Sequence, residues 1–252
     1  MLTLHYLQDS QAIRILWLLE ELELKQDVDY KLVTYTRQDD LTAPPELKVI
    51  SPLQTSPVIT DNDDDLVLAE SNAILDYIID KYMRDGTEQQ QQRCRQLRPS
   101  STSSADDRAN FLFWYHAGPT SFQHVLQTDT LLSLIPTKVP FMFRPIVSMV
   151  MHKAQSNYVV PRITTILQYM EQQLQSSSSL GTSLLAGTSR DQITLADISV
   201  LYSLESALTR YDFPKSQYPH VHAYHEKVRA WPSLQRALQT VRQDSIVVTV
   251  HK

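Results

Sequence analysis

The chain has 252 residues, 42% of them hydrophobic and 20% charged, which is enough for the buried core of one or two globular domains. Its net charge of −5 argues against nucleic-acid binding, and no apolar stretch reaches the roughly 20 residues of a membrane span. One cysteine allows no intrachain disulfide, so the composition gives no sign of secretion.

Several common kinds of site are absent from the sequence. The four glycines form neither a dinucleotide-binding nor a phosphate-binding loop, and no cysteines or histidines have the spacing of a metal site, so we expect no metal. Cys94 lies in a polar stretch, which predicts an exposed and incidental thiol. No signal peptide is recognised before the first apolar segment, and we expect a cytoplasmic protein.

The amino-terminal third alternates between strand and helix patterns. A strand over 2–7, a largely buried helix over 13–24 and a strand over 28–34 predict a right-handed β-α-β unit. Further along, the pattern predicts a short helix at 43–47, a hairpin of strands 57–60 and 66–69 across an acidic turn, and a helix over 71–82. The predicted order is therefore β-α-β-α-β-β-α.

The composition changes after residue 83. Runs of glutamine and serine predict a linker or insertion over 84–105, with a linker or solvated helix followed by a flexible loop. From residue 106 the periodicity is helical, with a loop expected at the serines 176–179. The predicted helices are 106–127, 141–175, 195–210, 218–230 and 232–242. We therefore expect domains at 1–83 and 106–245, followed by a strand-like tail at 246–252 whose role is unexplained.

The helix expected at 195–210 has a recognisable start. Thr194 occupies the N-cap position, and Asp197 stands where its carboxylate can reach back to the backbone N–H of the cap. Ile193 and Ile198 are placed as a hydrophobic staple around this capping box. The motif predicts folding stability rather than chemistry.

The stretch from residue 55 to residue 75 is the most informative. Pro57 opens a strand, which fits a cis peptide bond, a bend or a sheet edge, because proline donates no hydrogen bond to the ladder. The second strand of the hairpin leads into a helix that starts at Glu70 and Ser71, beside unpaired backbone N–H groups. These features predict a polar pocket that can hold both ends of a small zwitterion.

Four motifs stand in order along the chain: 53–58 (LQTSPV), 69–74 (AESNAI), 194–197 (TLAD) and 231–237 (WPSLQRA). Over about residues 1–240, they resemble the cytosolic glutathione transferases. The segments 9–21 (DSQAIRILWLLEE), 43–48 (APPELK) and 140–145 (PFMFRP) are similar to a fungal and bacterial branch of that family. The resemblance implies an α/β thioredoxin-like amino-terminal domain, an all-α carboxy-terminal domain, glutathione as co-substrate and a homodimer.

The resemblance also implies which hydroxyl activates the glutathione thiol. Ser10 follows the first strand, where serine-type members carry their thiol-activating group, although Asp9 or Ser10 would also cap the following helix. Tyr6 is the competing donor, with packing on the sheet as its alternative role, and a backbone N–H is a third candidate. No cysteine lies in the first ninety residues, which makes a cysteine-type member a poor match.

Six residues are implied to bind glutathione along its length: Lys48, Gln54, Ser56, Pro57, Glu70 and Ser71. Glu70 would pair with the γ-glutamyl ammonium, while Ser71 and the helix N-terminus would receive the γ-glutamyl carboxylate. Ser56 would offer its backbone N–H and C=O to the cysteinyl residue, next to Pro57. The alternative for Glu70 and Ser71 is a capped helix with an exposed carboxylate.

The group that binds the glycine carboxylate is left open by the sequence. Many relatives have a glycine followed by a cation where this chain has Gln54 and Thr55. Lys48 or Arg37 could supply the missing charge, or either could be a solvated surface cation. Arg14 is expected to be structural, buried and paired, rather than catalytic.

The second substrate is expected to be a small apolar electrophile. Phe111, Trp114 and Tyr115 form an aromatic stripe that could line its pocket or belong to the core. The function implied is detoxifying transfer of the glutathione thiolate to such electrophiles, with peroxidase activity as a further use of the same thiolate. A non-catalytic glutathione or hydrophobic-ligand carrier, or a regulatory dimer, is the alternative on the same fold.

Overall fold

The computed structural model describes residues 1–38, 42–100, 103–179, 184–185 and 192–242. Its amino-terminal part contains β1 (Leu2–Leu7), α1 (Ala12–Glu21), β2 (Tyr30–Tyr35), α2 (Pro45–Ile50), β3 (Val58–Asp61), β4 (Leu66–Ala69) and α3 (Ser71–Asp85). This order confirms the predicted β-α-β-α-β-β-α arrangement. Strand β2 begins two residues later than predicted, because Asp27 has a positive φ and a tight turn closes from Asp29 N–H to the Lys25 carbonyl.

The four strands form one sheet in the order β2-β1-β3-β4. Strand β1 runs parallel to β2 and antiparallel to β3, and β3 pairs antiparallel with β4. Leu4 stands at the centre, opposite Leu32 on one side and Ile59 on the other. The thioredoxin-like prediction is therefore confirmed, and the carboxyl end of β1 delivers the chain to the start of α1.

Over its described length, the regular elements of the carboxy-terminal part are all helices. The helices are α4 (Glu88–Gln96), α5 (Ala105–Ala117), α6 (Gln123–Leu134), α7 (Arg144–Ala154), α8 (Val160–Ser179), α9 (Leu195–Arg210), α10 (Pro219–Arg229) and α11 (Pro232–Val241). Wide π-type turns link α5 to α6 and α7 to α8. The loop predicted at 176–179 is wrong, because these serines continue α8 and the Ser176 hydroxyl bonds to the Gln172 carbonyl, which keeps the helix intact. Within the described residues, no helix combines the length and hydrophobicity needed to cross a bilayer.

The Gln-rich segment forms helix α4, so of the two predicted alternatives, linker and helix, the helix is present. The Thr87 hydroxyl accepts the Gln90 backbone N–H, and Gln90 Oε1 accepts the Thr87 backbone N–H, which completes a capping box. Cys94 on this helix is 1% exposed, so the expectation of an exposed thiol is wrong. Burial raises the pKa of Cys94 to about 11. Residues 101–102 of the Ser-rich run and the 246–252 tail lie outside the described residues.

Helix α1 joins the sheet to the helical part. Nine of its residues are buried, and the Trp17 indole N–H donates to Ser233 Oγ on α11 at 2.9 Å. On α9, the predicted capping box is present: Asp197 accepts the Thr194 backbone N–H at 2.8 Å and is fully buried. Helix α9 approaches the π-type turn at Gly118 so closely that an added Cβ there would lie 2.6 Å from the Ser199 carbonyl oxygen.

Candidate active site

Two serine hydroxyls meet at the start of α1. Ser10 Oγ accepts the Ala12 backbone N–H at 3.1 Å and lies 3.2 Å from Ser56 Oγ. Ser56 Oγ accepts the Leu7 N–H at 3.3 Å. The two hydroxyls carry two protons, and the contact between them uses one, so the second proton can be donated to a bound group. Ser10 is 4% exposed, so bulk water reaches little of its side chain, whereas Ser56 is half-buried.

The serine pair opens onto a cavity of about 550 Å³, which we call the serine cavity. That volume is typical of a site for a small-molecule ligand. Its walls are Leu7, Ser10, Arg37, Gln38, Thr42, Ala43, Pro45, Gln54, Thr55 and Ser56. The walls therefore combine the end of β1, the segment before α2, and the loop before β3, and they are mainly polar.

Arg37 brings a positive charge to the serine cavity. The sequence left open whether Arg37 or Lys48 would supply the cation for a carboxylate. One guanidinium nitrogen of Arg37 donates to the Asp9 carbonyl at 3.2 Å, which fixes the side chain near the turn that carries Ser10. Lys48 is exposed on α2 and does not line the cavity, whereas Gln54 does and has a positive φ of 53°. Among the described wall residues, Arg37 is the one with a cationic side chain.

Tyr6 lies apart from the cavity walls. It is 1% exposed within β1, and burial, with smaller contributions from Asp9 and Tyr202, raises its pKa well above that of a free tyrosine. The phenol therefore remains protonated and packs in the core. This placement favours Ser10 over Tyr6 as the group that faces a ligand.

A second polar group forms where β4 enters α3. Glu70 is exposed at the N-cap with a φ of 75°, and Ser71 is 7% exposed in the first turn of α3. Ser71 Oγ accepts from Arg14 Nη1 at 3.3 Å, and Gln11 Oε1 accepts from the same nitrogen at 2.7 Å. Neither Glu70 nor Ser71 lines the serine cavity. Gln11 directly follows Ser10 in the chain, so the serine pair and this second polar group both lie at the start of α1.

Arg14 is buried as expected and binds neutral partners. Its second terminal nitrogen donates to Ser203 Oγ at 3.4 Å, and its guanidinium lies 5.7 Å from the Tyr202 ring. Burial lowers the pKa of Arg14 to about 9. A cation beneath Ser71 adds to the positive potential at the N-terminus of α3, which favours a bound carboxylate there.

The loop before β3 contributes backbone as well as side chains. The Ser56–Pro57 peptide bond is cis, and Pro57 is buried while Ser56 remains half-buried at the cavity wall. Val58 then pairs with His5 of β1. The loop therefore carries Ser56 to the carboxyl end of β1.

The three aromatic residues predicted to line a second-substrate pocket lie in the core. Phe111, Trp114 and Tyr115 are all at most 6% exposed, and none borders the serine cavity. The Tyr115 hydroxyl donates to the Asn72 carbonyl, and the Asn72 side-chain amide donates to the Tyr115 carbonyl, at 2.9 and 2.6 Å. These contacts hold α3 against α5, so the aromatic stripe is accounted for by packing.

Sequence reasoning missed three contributors to the cavity. The position of Ser56 beside Pro57 indicates a role for its backbone but not for its hydroxyl, and Gln38 and Thr42 lie outside every predicted element. Thr42 Oγ1 donates to Gln38 Oε1 at 3.0 Å, which links the two side chains across the segment. Polar residues beside the APPELK motif were the one available hint.

The sequence was compared with known protein families and solved structures. The model for "Glutathione S-transferase, N-terminal domain" matches residues 2–80, and that for "Glutathione S-transferase, C-terminal domain" matches residues 142–240. The chain belongs to the glutathione S-transferase family. Glutathione S-transferase 3 of Schizosaccharomyces pombe is 27% identical over 98% of this chain and 91% of its own length. Glutathione S-transferase 1 of Saccharomyces cerevisiae is 27% identical over 85% of this chain and 84% of its own length.

A solved structure supports the same family assignment. A glutathione S-transferase from Actinobacillus pleuropneumoniae superimposes with a TM-score of 0.71 at 27% identity, over 96% of this chain and 94% of that one. These relatives are fungal and bacterial, as the sequence motifs predicted. The architecture of both parts of the chain is thus that of a glutathione S-transferase.

Proposed function

We propose that the protein binds glutathione in the serine cavity and transfers its thiolate to small apolar electrophiles. The observation that carries this proposal is the Ser10–Ser56 hydroxyl pair, which stands at the N-terminus of α1 on the wall of a ligand-sized cavity. A family scaffold supports glutathione as the ligand. Family membership alone does not establish turnover, which needs a group that keeps the thiol ionised.

The chemistry required is a lowered thiol pKa. A free cysteine thiol has a pKa of about 8.5, and lowering it by about two units needs ~2.7 kcal/mol of preferential stabilisation of the thiolate. A hydroxyl donor, together with the partial positive charge of a helix N-terminus, supplies stabilisation of that order. In this arrangement Ser10 donates to the sulfur, while Ser56 and the Ala12 N–H hold the hydroxyl in place.

The rest of the tripeptide would be bound along the start of α1. Arg37 would pair with the glycine carboxylate, and the backbone of Ser56, next to Pro57, would bind the cysteinyl residue. Glu70 would take the γ-glutamyl ammonium, and Ser71 with the N-terminus of α3 would take the carboxylate. The positive charge of the buried Arg14 supports that last contact.

Calorimetry with reduced glutathione, followed by an aryl-halide conjugation assay, tests the proposal. We expect saturable binding and turnover in the wild type, and turnover reduced far more than binding in Ser10→Ala. Binding without turnover in the wild type would favour the alternative carrier or regulatory role. A correctly folded protein without affinity for glutathione contradicts the proposal altogether.

Further features of the proposal follow from the family. The same thiolate would reduce hydroperoxides, which a peroxidase assay with an organic hydroperoxide checks on the same protein. A homodimer, a detoxifying role and a cytoplasmic location remain predictions. Sedimentation velocity of the purified chain tests directly whether it forms a homodimer.

A further inference from the structure

Helix α7 differs from the other long helices of the carboxy-terminal part because it has no buried residue. Val147 and Met151 are half-buried, and the remaining large side chains of the helix are exposed. By contrast, α6 buries four residues along a comparable length. Because helix stability in proteins comes mainly from the packing of an apolar face, an uncovered α7 suggests a partner outside this chain.

One side of α7 is apolar. Ile146, Met149 and Val150 are spaced i, i+3 and i+4 and form one stripe. The tight turn Phe141–Phe143 immediately before the helix adds more apolar surface. Phe141 is 77% exposed, Ile146 61% and Met149 67%. We call Phe141, Met142, Phe143, Ile146, Met149 and Val150 the α7 face.

The α7 face lies in a cationic part of an acidic protein. No aspartate or glutamate occurs between Asp129 and Glu171, although the chain as a whole carries a net charge of −5. The same segment contains Lys138, Arg144, Lys153 and Arg162, all of them exposed. The local charge therefore has the opposite sign to that of the whole chain.

The two lysines are the cations placed to meet an external partner. Arg144 donates to the Val139 carbonyl at 3.3 Å, and the Arg162 guanidinium lies 3.5 Å from the Tyr158 ring. Lys138 stands just before the α7 face, and Lys153 lies seven residues after Ile146, on the same side of the helix as the apolar stripe. Lysines thus flank the apolar surface along the chain, one before it and one at the carboxyl end of α7.

We propose that the α7 face docks on an anionic lipid surface. An amphipathic helix with exposed apolar side chains and flanking lysines is suited to insert its apolar face at the headgroup boundary while its cations meet anionic headgroups. The helix lies on the membrane and does not cross it. This docking needs neither glutathione nor catalysis, so the inference is independent of the proposed function.

Charge favours a lipid surface over a dimer in which the α7 face pairs with itself. In a two-fold symmetric dimer built on this face, the same patch would meet itself and place lysines opposite lysines. Such juxtaposition of like charges opposes association, whereas an anionic bilayer complements both lysines and accepts the apolar side chains. A copy that presents a different surface remains an outcome of the test below.

Co-sedimentation with vesicles tests the proposal on the full chain. We expect the wild type to bind vesicles of phosphatidylcholine mixed with phosphatidylserine and not vesicles of phosphatidylcholine alone. Binding should fall when salt is raised to about 1 M, where the Debye length is ~3 Å. Removing both lysines in Lys138→Gln/Lys153→Gln should weaken binding about thirty-fold, since each contributes roughly a factor of five.

Matched variants separate the α7 face from general surface effects. Phe141→Ser/Ile146→Ser should abolish vesicle binding, whereas Val28→Ser and Lys31→Gln, which alter exposed residues of the amino-terminal part, should leave it unchanged. Circular dichroism verifies that each variant is folded. Equal binding to both kinds of vesicle, or no binding to either, overturns the proposal. The proposal is also overturned if sedimentation velocity shows that Phe141→Ser/Ile146→Ser converts a dimer to monomers, because the α7 face would then be an interface between copies.

Discussion

The hydroxyl oxygens of Ser10 and Ser56 lie 3.2 Å apart, although 46 positions separate the two residues in the chain. Strand β1 and the loop before β3 bring them together at the start of α1, where each also accepts one backbone N–H. This geometry leaves one hydroxyl proton to donate into the serine cavity. The pair therefore acts as one donor, and its two members can be separated by mutation.

Removal of the Ser10 hydroxyl should reduce turnover more than removal of its partner. We expect Ser10→Ala to lower kcat/KM for aryl-halide conjugation about 10²-fold, the usual effect of losing one donor to a developing anion. Ser56→Ala should cost about 10-fold, because its hydroxyl acts through Ser10. The pH at which the activity of Ser10→Ala rises should also be higher than in the wild type. The variant lacks a group that stabilises the thiolate, so the pKa of the bound thiol is higher.

Tyr6→Phe is the control for that series. The Tyr6 phenol does not border the cavity, so its loss should leave kcat/KM and the pH profile close to those of the wild type. Steady-state kinetics across the pH range measures both quantities. A large loss in Tyr6→Phe with normal activity in Ser10→Ala would reverse the assignment of the two hydroxyls.

Arg37 should affect affinity rather than the chemical step. Replacing it in Arg37→Gln removes the cation from the serine cavity, and we expect KM for glutathione to rise about 10-fold with kcat nearly unchanged. Lys48→Gln is the matched control, because Lys48 carries the same charge on nearby α2 without lining the cavity. If Lys48→Gln alone raises KM, the glycine carboxylate binds on α2 instead.

Cys94 should be unreactive in the folded protein. Burial raises the pKa of its thiol to about 11, and the thiolate is the nucleophile, so an aromatic disulfide reagent should modify it slowly at neutral pH. Addition of denaturant should expose the single thiol and make the reaction fast. Rapid stoichiometric labelling of native protein, measured by absorbance, would show that α4 is not packed as described.

The two capping boxes should differ in their contribution to stability. Asp197 accepts hydrogen bonds from the Thr194 backbone and hydroxyl, and from the Tyr224 hydroxyl at 3.0 Å. Asp197→Ala leaves these buried donors unpaired and should lower the free energy of unfolding by about 3 kcal/mol. Thr87→Ala removes the exposed cap of α4 and should cost about 1 kcal/mol. Urea denaturation of both variants measures the difference, and equal losses would contradict it.

The amino-acid sequence by itself determined the order of the elements in the amino-terminal part and the start of α9, whereas the predicted helices 106–127 and 141–175 are each divided in two by a π-type turn. Strand and helix periodicities depend on near neighbours, and so does the capping box of Thr194 and Asp197, because its partners lie three residues apart. The same locality made the hairpin before α3 readable. These features needed no knowledge of what packs against them.

The tertiary structure alone decided which side chains face a ligand, the core or the exterior. It buried Cys94, turned Phe111 and Trp114 into the core, and placed Arg37 rather than Lys48 on the cavity wall. It also set the Ser10 hydroxyl against that of Ser56 and left the apolar stripe of α7 exposed. Each of these outcomes depends on elements far apart in the chain, and a local sequence pattern carries no record of which distant surface will meet it.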